Sequence, residues 1–344
     1  SVPFQVALML GLAIASYRYI ETPLRKGKWF GKRWKTLVVG GGVIMILSGG
    51  LIALIEPLKG QLYTGKKINT VKPDLLKGEE CLANISKETK CYFIDNNSKQ
   101  TLWLIGDSHA NSLAGEQIAN SLGMNMKLYT APGTPFPVIS KYAKSREEKY
   151  LPLLDDFRLV EKELYKQLTV GDVILLSIRM PYYFGGTYYE NTPSADSQKS
   201  YFDEWITSVE NLANIAYKQG AKVIIQTPIP EWETEYNSPN VCRDRQWFNL
   251  LSKINCQIKS KFFIDEETGL YKHLFENLNQ LSSSHKNIYL FDIYKVICPE
   301  STCTFTRDSV DIYRDEDHIT YEWARDFLSP VIAKFINDIQ TIDK

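Results

Sequence analysis

The chain of 344 residues lacks any excess of charge, since 40 Lys and Arg residues face 40 Asp and Glu residues. No global field therefore points toward nucleic acid, and no nucleic-acid partner is expected. No cysteine stands before residue 60. The six that follow, Cys81, Cys91, Cys242, Cys256, Cys298 and Cys303, fall into three close pairs. No pair has CxxC spacing and no histidine lies between partners, which argues against a zinc site; no metal is expected. Three short-range disulfides, 81–91, 242–256 and 298–303, are the simplest reading, with six buried free thiols as the alternative. Disulfides imply an oxidising compartment. Histidine is scarce, with four residues in all. No methionine opens the chain, which starts at Ser1 inside an apolar stretch. That start reads as a fragment beginning partway through a membrane helix. No basic run precedes the stretch, so a signal peptide fits poorly.

Charge is also missing from two segments near the start. Residues 2–17 (VPFQVALMLGLAIASY) carry none, and neither do residues 36–55 (TLVVGGGVIMILSGGLIALI). The second has the length of a bilayer-crossing helix and the glycine content that membrane helices tolerate. Between them lie Arg18, Arg25, Lys26, Lys28, Lys32, Arg33 and Lys35 against a single Glu21. The positive-inside rule puts this loop in the cytoplasm and sends residues 56–344 to the far side, in agreement with the disulfide argument. Trp29, Phe30 and Trp34 look like interfacial anchors or contacts to other helices. A pair of buried helices in a soluble protein is the competing reading.

Residues 56–100 show no clear period and read as a tether with an extension packed on the main domain. From residue 101 the pattern changes. TLWLIG (101–106), MKLYT (126–130), DVILLS (172–177), AKVIIQT (221–227) and NIYLFD (287–292) are short apolar runs without strict alternation, as in strands buried on both faces. Helical patterns alternate with them at 109–122, 147–169, 198–219, 244–262, 267–284 and 321–338. The alternation predicts an α/β fold, a parallel sheet covered by helices on both sides, with ligands beyond the carboxyl ends of the strands.

Two motifs carry chemistry. Gly106-Asp107-Ser108-His109 ends the first strand, and Asp315-Glu316-Asp317-His318 lies near the C-terminus. Ser108 can act as nucleophile at the start of a helix, where the positive end of the dipole favours an oxyanion. Asp107 can brace the turn. Alternatively, both are plain helix caps. His318 can serve as general base, with Asp315 holding its second ring nitrogen. Glu316 and Asp317 compete for that role, although Asp317, as the neighbour in sequence, is expected to point elsewhere. His109 is a rival base; His273 and His285 lie in polar helical sequence and look solvated. The aromatic run Pro181-Tyr182-Tyr183-Phe184-Gly185-Gly186-Thr187-Tyr188-Tyr189 could stack on sugar rings or simply pack under its own side chains.

At GDSHAN (106–111) and at D-x-x-H-I-T (315–320) the chain resembles the SGNH (GDSL-like) hydrolase superfamily, in the form fused to acyltransferase-3 membrane proteins. Tyr17-Arg18-Tyr19-Ile20-Glu21-Thr22-Pro23-Leu24-Arg25 looks like the close of an acyltransferase-3 domain. The resemblance implies a three-layer α/β/α domain preceded by transmembrane helices. It divides the chain into the membrane-domain end and cytoplasmic loop (1–35), a linking span (36–55), a periplasmic extension (56–100) and the SGNH domain (101–344). It is nearest to bacterial enzymes that O-acetylate lipopolysaccharide O-antigen. It implies that a membrane domain takes acetyl from cytoplasmic acetyl-CoA and that the periplasmic domain sets it on a glycan hydroxyl, with no cofactor bound in this fragment. Carried over, Ser108 is nucleophile, His318 base and Asp315 its partner. The chain departs from the family where a G-x-N-D run supplies an oxyanion-binding Asn; here the run is Ser177-Ile178-Arg179-Met180-Pro181. The N–H groups of Ser108 and Gly133 are then the candidate oxyanion donors, with Arg179 near the site and Tyr182 and Tyr183 as substrate contacts. A glycan O-acetyl esterase and a silent glycan-binding module remain open beside the transferase.

Overall fold

The structure, a computed structural model, describes residues 2–22, 31, 33–58, 85–86, 88–145, 151–185, 194–232, 239, 257–259, 271–299, 302–308 and 310–342. The chain divides into two compact units, residues 1–67 with 243–252, and residues 68–242 with 253–344.

In the first unit, Val2–Ala15 is a helix that continues through Glu21 in wider, π-type turns, and Arg33–Leu58 is a second helix. Their large apolar side chains face outward; Met45 and Ile46 are 73% and 75% exposed. Among the described residues no helix is long and apolar enough to cross a membrane. The expected span at 36–55 therefore meets a helix, but not one that passes that test. Gly40, Gly41, Gly42, Gly49 and Gly50 add no side chain to it, and the side chains from residue 51 onward lie outside those described.

The second unit is built on a six-stranded sheet. Its strands are β1 (Lys90–Ile94), β2 (Thr101–Gly106), β3 (Asn125–Thr130), β4 (Val173–Ser177), β5 (Lys222–Gln226) and, after the short β6 (Gln257–Lys259), β7 (Ile288–Phe291). The order is β1-β3-β2-β4-β5-β7. All neighbours are parallel except β1, which pairs antiparallel with β3. All five residues of β4 are buried. Successive strand side chains point to opposite faces, so helices must cover both. The five expected strands are present. The addition is β1, inside the stretch expected to be a tether and extension; its Lys90-Cys91-Tyr92-Phe93-Ile94 run is only half-buried, as suits an edge.

Chain direction places the site. From β2 the chain crosses to β3 on one side, then returns to β4 on the other. The carboxyl end of β2 is thus a topological switch point, where open α/β sheets form their crevice. Gly106 closes β2 because a Cβ there would lie 1.8 Å from the Ser177 carbonyl oxygen of β4.

Helix prediction needs three corrections. The pattern at 109–122 divides into a short 3₁₀ turn, Ala110–Ser112, and a helix, Gly115–Leu122. Ala114 between them is left-handed (φ 51°), and the Ser329 hydroxyl of the last helix reaches the carbonyls of Leu113 and Ala114. That distant contact satisfies acceptors freed by the break. The pattern at 244–262 lies mostly outside the described residues, but Gln257–Lys259 is strand, paired antiparallel with β8 (Thr302–Thr304). The aromatic run after β4 begins as a short helix, Met180–Phe184, not a loop. Cys303 of β8 forms a disulfide with Cys298, as expected. Cys91 is disulfide-bonded too. Cys81, Cys242 and Cys256 lie outside the described residues.

Candidate active site

Two loops meet at the carboxyl edge of the sheet. One leaves β2 directly, so a stiff central strand sets its position. The other, 313–320, is held by the backbone bonds of Arg314 N–H to the His318 carbonyl and of Thr320 N–H to the Ile312 carbonyl. It is docked further by Trp232 N–H to the Glu316 carbonyl and by the Tyr313 hydroxyl to the Pro230 carbonyl. Thr320 then caps the final helical segment.

These loops bring residues 210 apart in sequence into contact: Ser108 Oγ lies 2.7 Å from His318 Nε2. On the other side of the ring, His318 Nδ1 lies 2.9 Å from Asp315 Oδ1, which also accepts from the His318 backbone N–H at 2.8 Å. Three-residue spacing lets the carboxylate fold back on the imidazole, as the sequence suggested. Burial disfavours the imidazolium, but the hydrogen bonds and charges of Asp315 and Asp317 outweigh it and raise His318 to about 9. Burial likewise opposes the charge on Asp315, yet its bonds to His318 hold it well below the usual carboxylate range.

Asp317 is a correction. It does not point elsewhere: its Oδ1 lies 3.3 Å from the same His318 Nδ1, and its Oδ2 lies 3.1 Å from Arg179 Nε. Alternation of neighbouring side chains belongs to extended strands, and this loop is bent. His109 is buried with its ring stacked on His318, centroids 4.9 Å apart. Its Nδ1 lies 3.3 Å from Asp107 Oδ1, and its Nε2 lies 3.1 Å from the Asp317 carbonyl oxygen. That packing turns it away from Ser108 and ends its candidacy as base. Among the described residues, His273, which is exposed, meets the Phe184 carbonyl oxygen, and His285 the Leu281 carbonyl oxygen.

Asp107 braces the turn. It accepts from the His109 N–H (2.9 Å), the Arg179 N–H (2.9 Å) and the Tyr183 hydroxyl (2.8 Å), and so ties the end of β2 to the segment after β4. Burial alone would raise this carboxyl; the His109 ring first, then the backbone N–H groups of Arg179 and His109, hold it below its ordinary value. Arg179 sits where the sequence put it, near the site, but its guanidinium is engaged. Its Nε and Nη2 donate to Glu231 at 2.7 and 2.8 Å. Glu231 is buried, and no motif announced it. The only signal was position, five residues past the end of β5 on the ligand edge.

The remaining candidates divide. Gly133 lies three residues beyond β3 in a left-handed turn (φ 61°), and β3 is a direct neighbour of β2, the strand that Ser108 follows. Tyr182 is partly exposed under the Arg179 guanidinium, 5.5 Å from the ring centre. Tyr183 is not a sugar platform, because its ring is buried among Tyr142, Tyr182 and Phe184 and its hydroxyl is spent on Asp107. Residues 186–189 of that run lie outside the described ones. Donor atoms of His109, Asp317 and His318 lie within 4.8 Å of one another, close enough for a cation. Arg179 against Asp317, and Ser108 and Asp315 on the two nitrogens of His318, already fill the coordination directions, so the donor set does not fit a metal centre.

Chemically, the arrangement is a hydroxyl, an imidazole and a carboxylate in line, at the start of a helical turn and partly exposed at Ser108. Three of the solved structures to which the chain is similar are these. The periplasmic domain of a lipopolysaccharide acetyltransferase from Salmonella ser. Paratyphi A is 17% identical, covering 70% of this chain and 85% of that one, with a TM-score of 0.48. A protein assigned as an SGNH hydrolase, from Slackia heliotrinireducens, is 12% identical over 69% and 98% of the two chains (TM-score 0.40). One assigned as an acylhydrolase, from Bacteroides fragilis, is 17% identical over 71% and 89% (TM-score 0.36). No curated protein matches the chain. Residues 77–334, well over half of the sequence, match the family described as SGNH domain (fused to AT3 domains). The chain belongs to that SGNH family.

Proposed function

We propose that the protein is an O-acetyltransferase that places acetyl on a sugar hydroxyl of lipopolysaccharide O-antigen or a similar envelope glycan. The observation that carries this reading is the 2.7 Å contact between Ser108 Oγ and His318 Nε2, with Asp315 on the far nitrogen. In the proposed reaction His318 takes the Ser108 proton as Oγ attacks the acetyl carbonyl. The tetrahedral oxyanion is met by the N–H groups of Ser108 and Gly133. Collapse leaves acetyl-Ser108, and the departing donor group takes the proton from His318. A sugar hydroxyl then gives its proton to His318 and attacks the acetyl-serine, which restores the free hydroxyl.

The same reading assigns residues 1–35 to the end of an acyltransferase-3 domain that draws on acetyl-CoA. It sets 36–55 across the bacterial inner membrane and 56–344 in the periplasm. The one-sided positive loop, the outward apolar side chains of the two helices and the Cys298–Cys303 disulfide support that placement. Membrane fractionation and thiol labelling from outside the inner membrane test it.

Glycan acetylation measured in cells carrying S108A in the full-length protein tests the activity; the expected result is its loss, and unchanged acetylation ends the proposal. A second reading, a glycan O-acetyl esterase, is favoured by the solvent exposure of Ser108, since water can also attack an acetyl-serine. Turnover of nitrophenyl acetate with and without acceptor sugar separates the two.

A further inference from the structure

We infer that Asp317 is a second positioning carboxylate for His318, charge-paired with Arg179, which Glu231 holds; Arg179 and Glu231 follow the ends of two other strands. The inference rests on the serine chemistry proposed above and adds residues that the Ser108–His318–Asp315 set leaves unexplained.

The geometry is specific. His318 Nδ1 faces two carboxylate oxygens, Asp315 Oδ1 at 2.9 Å and Asp317 Oδ1 at 3.3 Å. One N–H makes one short hydrogen bond, so the nearer oxygen takes it and the farther acts through its charge. The two carboxylates differ in exposure. The Asp315 side chain is 29% exposed, with Arg314 Nε 3.1 Å from its outer oxygen, so solvent and a surface cation compete for it. The Asp317 side chain is 6% exposed, with Oδ1 3.3 Å from His318 Nδ1 and Oδ2 3.1 Å from Arg179 Nε, whose N–H goes to Glu231, so both contacts are of charge.

Arg179 is pinned in turn. Its backbone N–H is bound by Asp107 after β2, and its guanidinium forks onto buried Glu231 after β5. A buried carboxylate is costly unless paired and hydrogen-bonded. Here two buried carboxylates share one guanidinium, which leaves the group net negative beside His318.

The groups facing His318 are therefore Asp315 and Asp317 from its own loop, Ser108 and the stacked His109 from the end of β2, and Arg179 from the end of β4. Asp107 lies behind His109, Glu231 behind Arg179 and Arg314 beside Asp315. The raised proton affinity of His318 follows from both aspartates together. Asp315 takes the short hydrogen bond of the ring, and Asp317 adds a second, more buried charge on the same nitrogen.

The test uses this 344-residue chain in detergent, labelled with ¹⁵N-histidine. Four histidines make the ring signals assignable by substitution. Expected results are a fall in the His318 titration midpoint of about one pH unit in D317N, and a smaller fall in E231Q, where Arg179 is left to neutralise Asp317 alone. With nitrophenyl acetate, the pH profile shifts down in parallel, kcat falls more than KM rises, and D315N keeps a residual rate that D315N/D317N loses. A His318 midpoint unmoved in both D317N and E231Q overturns the inference and reduces the network to a structural clamp. If D317N fails to fold, E231Q decides alone. The ring titration needs no turnover, so an inactive wild type would defeat the proposed function while leaving this question answerable.

Discussion

The same pairing of carboxylate and imidazole occurs twice in this site, and only one copy meets a hydroxyl. Asp107 and His109 follow β2; Asp315 and His318 lie in the late loop. The two rings stack at 4.9 Å, yet the His109 side chain is 2% exposed and the His318 side chain 16%. The distal nitrogen of His109 faces the Asp317 carbonyl oxygen; that of His318 faces Ser108. Asp107 accepts from three donors on three residues and ties strand ends together, whereas Asp315 serves its own loop and one ring. What an imidazole does is thus decided by what its far nitrogen meets and by whether water and substrate can reach it.

The largest effect that would sharpen this contrast is on turnover. S108A or H318N should lower hydrolysis of a small ester by about 10⁴-fold or more, with S108A leaving the melting temperature nearly unchanged. Retained activity in H318N together with its loss in H109N would reverse the assignment.

Next is pH. A protonated His318 cannot accept the serine proton, and its proton affinity is raised to about 9. Below that value kcat/KM should climb about tenfold per pH unit and then level. The linked stability runs the other way. A raised value in the folded state means that protonated His318 stabilises the fold fully below about pH 6.5, and this contribution is lost as pH rises through about 9. Melting curves against pH, compared between wild type and H318N, check the sign.

Smaller effects fall on the buried copy. D107N removes one charged acceptor from three donors and should cost about 2–3 kcal/mol of stability in denaturant titrations. H109N should cost about 1–2 kcal/mol. Its rate loss should stay within about tenfold, because the ring supports His318 from behind and touches no reacting atom. A rate loss on the scale of H318N, without loss of stability, would break the comparison.

Much of this was legible along the chain. The central strands were, because runs such as Thr101–Gly106 and Val173–Ser177 are apolar without alternation, which only a doubly covered sheet requires. The contact of Asp315 with His318 was legible as well, since three-residue spacing in a turn is a local matter. Other features were not. β1 was missed because an edge strand needs only one partner and Lys90–Ile94 carries a weak pattern. The break at Ala114 depends on a hydroxyl 215 residues away. The sugar-platform reading of Tyr183 failed because nothing local reports that its ring is buried and its hydroxyl bound to Asp107.

Sequence by itself determined the strand-and-helix alternation, the serine at a strand end and the aspartate folded onto its histidine, because backbone sterics, burial period and short-range spacing act within a few residues. Only the tertiary structure decided which histidine meets the serine, that Asp317 turns inward and that Glu231 holds Arg179. Those outcomes depend on the order of strands in the sheet, which brings loops from β2, β4, β5 and the C-terminal segment to one edge, where buried charges must find partners or remain unsolvated.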